Sequence, residues 1–302
     1  MAKRHNKDTP LPKPTGDVTW LMSRLPAAAW HRGDHSSFQE NSRRAIERSL
    51  QSPVPNVEVD VIDFVTTSGE RVGLLAHEDN MARLTGVPRR FFTFHAIEQL
   101  PQNRVQPKLA PEPFMTVVEF FDLIHEYKGG GVIPIVSLDL AESGTTGETF
   151  GGWIGTLIKR YGFTDHVFAA SRLKSNIVGL RKSCPECLMG GEIYQRHWAL
   201  RYLDHGHTTL DLTTLSEITF FLGFLGKKNF HHDFVLIPDD LVFHHPEVMD
   251  IWRRERAVKF VGVYVFEKQR PYSADEWRIL EKADWLELDP PQMNQYIERL
   301  QD

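Results

Sequence analysis

The chain has 302 residues, of which 41% are apolar and 25% are charged. This composition is typical of a folded globular protein and argues against a fibrous or disordered one. The formal net charge of −5 argues mildly against nonspecific nucleic-acid binding, and no apolar run reaches the roughly 18 residues that a transmembrane helix needs.

The amino-terminal segment, residues 1–17, is polar and has no apolar periodicity, which predicts a disordered arm. It also has no apolar core of a signal peptide, so we expect a cytoplasmic protein without stable membrane insertion. Residues 18–302 are predicted to form a single domain, because α/β barrels of this size are commonly single domains. The oligomeric state is left open by the sequence.

The first predicted strand covers residues 25–30 and leads into His31-Arg32-Gly33. Residues 41–50 have the apolar spacing of a helix, which Asn41 could cap. The next predicted strand, residues 57–61, places Glu58 and Asp60 between valines. Because side chains two apart in a strand lie on one face, both carboxylates point the same way.

Two carboxylates on one face are costly, since at separations of about 4–6 Å they repel by a few kcal/mol at an effective dielectric constant of about 20. A divalent cation would remove that cost, because hard cations prefer carboxylate oxygens. The alternative is that Glu58 and Asp60 lie on the exposed face of an edge strand. His31 and His77 favour the site, because each ends an apolar run that is typical of a strand.

The rest of the chain alternates predicted strands and helices. A turn is expected around Ser68-Gly69, before the apolar run that ends at His77. Further strands are predicted at 132–140 (with Asp139), 166–171, 188–194, 234–237, 260–266 and 285–288, and helices at 117–127, 146–161, 176–182, 245–256 and 273–283. This alternation predicts βαβ units and a parallel sheet, with enough units for a closed barrel.

Taken together, these motifs resemble the glycerophosphodiester phosphodiesterase family, whose signature reads roughly H-R-G, P-E-N, E-x-D and H-D. The matching residues are His31-Arg32-Gly33, Glu40-Asn41, Glu58-x-Asp60 and His77; Gln39 stands in place of the proline and Glu78 in place of the second aspartate. The resemblance spans roughly residues 25–295 and is specific before residue 140. It implies an α/β fold, a TIM (β/α)8 barrel of the phospholipase-C-like phosphodiesterase type.

The resemblance also implies roles for individual residues. Glu58, Asp60 and Asp139 are expected to hold one divalent cation, with Mg²⁺ favoured and Ca²⁺ as the alternative. His31 and His77 are the expected general acid and base, in an order that the sequence does not fix.

Arg32 is the expected phosphate ligand, because a guanidinium can hold two phosphate oxygens at once. The family usually has lysine two residues after the third carboxylate, whereas this chain has Ala141. Arg32, Arg172 or Lys174 could supply the positive charge instead. His35 is a further candidate for contact with the substrate.

The predicted function is therefore metal-dependent hydrolysis of a small glycerophosphodiester-like phosphodiester, a reaction of lipid metabolism. Two alternatives stay open. One is a phosphodiester transferase or lyase on the same barrel, which would make a sugar phosphodiester or stop at a cyclic phosphate. The other is a noncatalytic binding barrel, although the presence of both histidines and all three carboxylates argues against it.

The only cysteines lie close together, in Cys184-Pro-Glu-Cys187. One such pair cannot complete a four-ligand zinc site alone, although His197 and His205 are near in sequence. The context of a thioredoxin-like redox motif is missing as well. We expect two ordinary reduced cysteines, and their role is left open.

Overall fold

The computed structural model describes residues 15, 17–24, 27–77, 112–140, 147–193, 232–256, 258–265 and 270–301. Within these residues, eight parallel strands form a barrel that closes through pairing of the first strand with both the second and the last. The predicted TIM-barrel fold is thus confirmed. The predicted arm at residues 1–17 lies almost wholly outside the described residues and stays a prediction.

The strands follow one another around the barrel in chain order, apart from one short addition. They are β1 (Ala27–His31), β2 (Val57–Ile62), β3 (Leu74–Leu75), β4 (Val136–Leu140), β5 (Val167–Ser171), β6 (Leu188–Glu192), β7 (Phe234–Pro238), β8 (Phe260–Tyr264) and β9 (Trp285–Leu288). The addition is β3, which pairs antiparallel with the end of β2 instead of joining the barrel. A turn at Ser68-Gly69 connects β2 to β3, as predicted, and Gly69 adopts a φ of +83° there.

Helices lie between the strands, on the outside of the barrel. In the described segments they are α1 (Thr19–Met22), α2 (Arg43–Leu50), α3 (Val117–Gly129), α4 (Gly147–Tyr161), α5 (Lys174–Ser183), α6 (Asp239–His244), α7 (Glu247–Arg256), α8 (Ala274–Leu280) and α9 (Pro290–Arg299). None of these helices has both the length and the apolar character that a bilayer crossing requires.

The barrel is packed on both sides of its wall, because side chains alternate along each strand. Outward side chains such as Val57, Val59 and Val61 pack against the helices. Inward side chains fill the amino-terminal end with a tight group that we call the aromatic floor: Phe168, Phe234, Phe260 and Trp285, all fully buried. The rings of Phe234 and Phe260 stack with centroids 4.6 Å apart.

Small residues make room for this floor. A side chain at Gly190 would collide with the backbone and ring of Phe234, and one at Gly262 would collide with Leu236. Leu21 of α1 packs onto the floor and is fully buried. The amino-terminal end of the barrel is therefore filled, which leaves the carboxyl end as the place for a site.

A buried ion-pair cluster also lies at the amino-terminal end. Asp233, directly before β7, accepts hydrogen bonds from Arg181 Nη2 at 3.0 Å and from the Met189 amide at 3.1 Å. The Lys259 Nζ atom lies 2.9 Å from the other oxygen of Asp233. The carboxylate thus has a partner on both oxygens, as a buried charge requires.

The structure corrects several local predictions. Ser42, not Asn41, caps α2, because the Ser42 hydroxyl accepts a hydrogen bond from the Ala45 amide. The apolar run before His77 contains a strand, as predicted, but this strand is the short β3, which pairs antiparallel with β2. Helices α6 and α9 were not predicted, although Pro290 at the start of α9 is a typical first helical residue.

The prediction of reduced cysteines is wrong, because Cys184 and Cys187 form a disulfide. The turn that ends α5 brings their Cα atoms to 5.4 Å, a separation that a disulfide spans without movement of the backbone. Both residues are buried against the helices around the barrel. A zinc site that uses these thiolates is excluded by the bond.

Candidate active site

The predicted site residues meet at the carboxyl end of the barrel. His31 ends β1 and pairs in register with Glu58 of β2. Asp60, two residues along β2, pairs in register with Asp139 of β4. Because inward-facing positions on neighbouring parallel strands lie side by side, the sequence pattern alone places these four side chains together.

The loop after β1 needs a special backbone. Arg32 and Gly33 have φ values of +58° and +78°, in the left-handed region. A Cβ atom at Gly33 would lie 2.9 Å from the backbone of Ala45 in α2, so only glycine allows this close packing. The left-handed turn directs the Arg32 amide at Glu58, whose Oε2 atom accepts its hydrogen bond at 3.0 Å.

The Glu40-Asn41 pair supports the same loop. The Asn41 side chain donates a hydrogen bond to Asp60 Oδ2 at 2.9 Å and accepts one from the Asp60 amide at 3.2 Å. The Arg32 side chain forms ion pairs with Asp60 Oδ2 at 2.8 Å and with Glu40 at 3.6 Å. These contacts fix the carboxylate of Asp60 from one side.

The electrostatics differ among the three predicted carboxylates. Burial and the neighbouring Asp60 raise the pKa of Glu58 well above its ordinary value. Burial and Glu192 likewise raise the pKa of Asp139. Burial also disfavours the charged form of Asp60, but Arg32 and then His77 outweigh it and hold its pKa at about 2. Only Asp60 is therefore well compensated by positive charge in the protein.

His31 is held by a carboxylate that the sequence analysis did not assign. The Nδ1 atom of His31 lies 2.8 Å from Oδ1 of Asp289, the residue directly after β9. Burial and Arg32 disfavour the charged imidazole, but Asp289 and Asp60 outweigh them and raise the His31 pKa above its ordinary value. The contact fixes the ring, so that Nε2 points towards Glu58 at 3.9 Å.

His77 follows β3 and is half-buried. Its position depends on the pairing of β3 with β2, and the Ala76 amide donates a hydrogen bond to the backbone oxygen of Asp60 at 3.1 Å. His77 contributes to the low pKa of Asp60. The β2–β3 hairpin thus brings His77 close to the end of β2.

Several charged residues at the same end were missed. They are Glu192 at the end of β6, Glu287 on β9 and Asp289 after it, and they continue the inward-facing rows of their strands. Alternation along each strand could have identified them, since each lies two or four residues after a buried inward side chain. Burial raises the pKa of Glu287 to about 7.

The carboxylates have the right chemistry for a hard divalent cation. Glu58, Asp60 and Asp139 each contact protein groups through one oxygen. Asp139 Oδ1 is buried and has no hydrogen-bond partner in the described segments. As they stand, no three acidic, histidine or cysteine side chains in this part of the chain are grouped closely enough to form a ready metal site. The chemistry of these oxygens suits a hard cation, whereas their present spacing does not form a ready site.

The remaining candidates lie at different distances from the site. His35 Nε2 is 3.8 Å from Asp289, so His35 stands beside the His31 dyad. Arg172 lies 3.8 Å from Asp139, whereas Lys174 is exposed at the start of α5. Ala141 and Glu78, where the family signature has other residues, lie outside the described residues.

Comparison with solved structures assigns the fold to one class, the barrel of glycerophosphodiester phosphodiesterases. No model of a protein family matches the chain, and no curated protein matches it either. The similarity is therefore one of structure.

Three solved structures illustrate the similarity. A phosphodiesterase from Oleispira antarctica, in complex with the product sn-glycerol-3-phosphate, has a TM-score of 0.58 and 16% identity, and the match covers 92% of this chain and 98% of that one. A glycerophosphodiester phosphodiesterase from Parabacteroides distasonis has a TM-score of 0.57 and 15% identity, with 91% and 97% covered. One from Agrobacterium tumefaciens has a TM-score of 0.56 and 15% identity, with 88% and 97% covered.

Proposed function

We propose that the protein is a phosphoric diester hydrolase that cleaves a small glycerophosphodiester-like substrate with the help of one divalent cation. The observation that carries the proposal is the pairing of His31 with Asp289 beside the three carboxylates Glu58, Asp60 and Asp139. A positioned imidazole next to an under-neutralised acidic group is the arrangement that metal-assisted phosphodiester cleavage requires.

The acidic residues would serve as the cation ligands. Glu58, Asp60 and Asp139 would hold the metal, with Mg²⁺ favoured over Ca²⁺. When bound, the cation supplies positive charge to the phosphoryl oxygens and neutralises the charge that develops there. The raised pKa values of Glu58 and Asp139 support this assignment, since nearby positive charge is what would keep both ionised at neutral pH.

The histidines would move the protons. Asp289 fixes the ring of His31 through Nδ1, which leaves Nε2 to exchange a proton with the substrate. His77 would act as the second group. Which histidine is the acid and which is the base depends on the orientation of the substrate.

The phosphate would be met from the β1 side by Arg32, whose guanidinium is already held beside Asp60. The glycerol-phosphate part of the substrate is suggested by the fold class and by sn-glycerol-3-phosphate in the Oleispira antarctica neighbour. A role in lipid metabolism would follow from that substrate.

The test is a panel of phosphodiesters assayed with Mg²⁺, Ca²⁺, Mn²⁺ and EDTA, with products followed by phosphorus NMR. His31→Ala and His77→Ala should each lower kcat by about 10²–10⁴-fold, the usual contribution of a positioned acid or base. His125→Ala is the matched control, because His125 is exposed on α3, and it should leave kcat unchanged.

Three results would overturn the proposal or part of it. Activity that persists in EDTA at full rate would remove the metal from the reaction. A cyclic phosphate as the final product would change the reaction class from hydrolase to lyase. If neither histidine variant lowers the rate, the acid–base assignment is wrong.

A further inference from the structure

Arg172 is a second arginine at the carboxyl end of the barrel, separated from Arg32 by the strands β2 and β4 that carry Asp60 and Asp139. It follows β5 directly, two residues after Ala170 and four after Phe168, both of which face the barrel interior. By the alternation of the strand, Arg172 continues this inward row at the site. Its side chain is 24% exposed, so it is partly covered and still reachable from the opening.

Two carboxylates hold this arginine in place. Arg172 Nε donates a hydrogen bond to Glu192 Oε2 at 3.1 Å. Its Nη2 atom lies 3.8 Å from Asp139 Oδ2, a distance that corresponds to an ion pair without a hydrogen bond. Glu192 therefore anchors the inner edge of the guanidinium, and the outer nitrogens lie next to a carboxylate of the candidate site.

The two arginines flank the acidic group. Around the barrel the order is Arg32 after β1, Asp60 on β2, Asp139 on β4 and Arg172 after β5. Arg32 Nε lies 2.8 Å from Asp60, so each arginine neighbours a different carboxylate. An anion centred over Asp60 and Asp139 would meet one guanidinium on each side.

We propose that Arg172 is a substrate-binding residue that contacts the phosphate oxygens from the β5 side, with Glu192 as its positioning partner. The inference rests on the proposed function, because it gives the phosphate of the proposed substrate a second protein contact. A guanidinium suits this place because it stays charged and offers planar, two-point hydrogen bonding to phosphate. The positive charge of Arg172 would also offset the negative charge of Asp139 and Glu192, which would otherwise repel a phosphate.

The experiment compares four proteins: wild type, Arg172→Gln, Arg172→Lys and Arg71→Gln. Arg71 is the matched control, since it is 24% exposed and its Nε lies 2.8 Å from Asp63 in the β2–β3 hairpin, outside the inward-facing rows. Each protein is titrated calorimetrically with inorganic phosphate in Mg²⁺ buffer. Melting temperature and kcat/KM for a glycerophosphodiester are measured on the same samples.

Arg172→Gln should weaken phosphate binding by about 10- to 100-fold, the worth of one or two hydrogen bonds to a charged group. Arg172→Lys should retain part of the affinity, because an ammonium keeps the charge but loses the planar grip. Arg71→Gln should bind phosphate like the wild type. If Arg172→Gln fails to fold, the Arg172→Lys protein still decides, since a loss of phosphate affinity at an unchanged melting temperature is expected only of a contact residue.

The inference is overturned if Arg172→Gln and Arg172→Lys bind phosphate as tightly as the wild type does, whatever happens to their melting temperatures. It is also overturned if the wild type binds no phosphate. The proposed function is refuted by a different result. If phosphate binding depends on Arg172 but no phosphodiester is hydrolysed, Arg172 belongs to an anion-binding site and the protein is not a phosphodiesterase.

Discussion

Two buried aspartates at opposite ends of the barrel have very different surroundings. Asp233, at the amino-terminal end, contacts Arg181, Lys259 and a backbone amide at 2.9–3.1 Å. Asp139, at the carboxyl end, has a single arginine in the described segments, and the 3.8 Å between them is beyond hydrogen-bond distance. Burial and Glu192 raise the pKa of Asp139.

The difference is the one expected between a structural charge and a charge at the proposed site. A buried carboxylate whose oxygens are both paired is a fixed part of the fold, and breaking the pair is costly. A buried carboxylate that lacks compensation is a cost to the fold, and such groups concentrate at functional sites. The amino-terminal end of a TIM barrel is where stability is expected, and the carboxyl end is where chemistry is expected.

The largest expected effect comes from neutralising each aspartate in turn. Asp139→Asn should lower kcat/KM by on the order of 10³-fold, because a metal ligand contributes several kcal/mol of charge stabilisation. Its melting temperature should stay the same or rise, since the ionised carboxylate is unfavourable in the fold. Asp233→Asn should instead destabilise the protein by about 3–5 kcal/mol, the usual cost of breaking a buried pair, with unchanged kcat in the folded fraction.

Thermal unfolding and steady-state kinetics on both variants check this contrast. Equal losses of stability in Asp139→Asn and Asp233→Asn would show that the two aspartates contribute equally to stability, in spite of their different contacts. Full activity of Asp139→Asn would remove that residue from the site.

The next effect concerns the carboxylate that holds His31. Asp289→Asn should lower kcat by about 10- to 100-fold, less than the loss of the histidine itself. It should also shift the inflection that His31 contributes to the pH–rate profile to a lower pH, because Asp289 raises the pKa of His31. A His125→Gln protein is the control, since His125 is exposed on α3, and it should change neither kcat nor the inflection.

The same dyad affects stability in a defined pH window. Because the folded-state pKa of His31 is raised, its contribution to stability is complete below the unfolded value of 6.5 and is lost as pH rises through the folded value. As the pH rises from 6.5 through the folded-state pKa of His31, the wild type should therefore lose more stability than Asp289→Asn does. An identical pH dependence of melting in the two proteins would contradict the assigned contact.

Divalent cations should act on the carboxyl end alone. A cation that binds the folded state stabilises it by about 2.7 kcal/mol at 100 times its dissociation constant. The melting temperature of the wild type should rise with Mg²⁺, whereas that of Asp139→Asn should rise little. Lys259→Met is the control at the amino-terminal end, and its melting temperature should rise with Mg²⁺ as much as that of the wild type. A calorimetric titration without divalent binding to the wild type would refute the cation site.

The smallest effect is expected from Glu287, whose pKa is raised to about 7 by burial. Between about pH 4.5 and 7 the folded state binds the proton that the unfolded state releases, so stability falls as pH rises through this range. With EDTA present, Glu287→Gln should remove about 1–3 kcal/mol of that fall. Melting curves at several pH values measure the difference, and parallel curves would contradict it.

Much of the fold and part of the site were predictable from local patterns. Alternation in Val57–Ile62 fixed the common direction of Glu58 and Asp60, and in the structure they face the barrel interior. The order of strands and helices was enough for a parallel barrel. Strand and helix limits shifted by a few residues, as with strand 132–140, which is β4 at Val136–Leu140.

What the sequence did not reveal depends on contacts between distant segments. Asp289 is 258 residues from His31, and only closure of the barrel between β1 and β9 brings them together. The role of Asn41 was misassigned because its contact with Asp60 is tertiary, whereas helix capping is local. The disulfide was missed because a short Cys-x-x-Cys spacing does not specify the turn that joins the thiols.

The aromatic floor determines how molecules can move through the barrel. In the part of the chain that the structure describes, Phe168, Phe234, Phe260 and Trp285 are fully buried and fill the barrel beneath the acidic group. Substrate, water and both products of a cleavage must then use the same opening. The last product to leave occupies the place of the next substrate, so the reaction should show competitive product inhibition, strongest for the product that carries the phosphate.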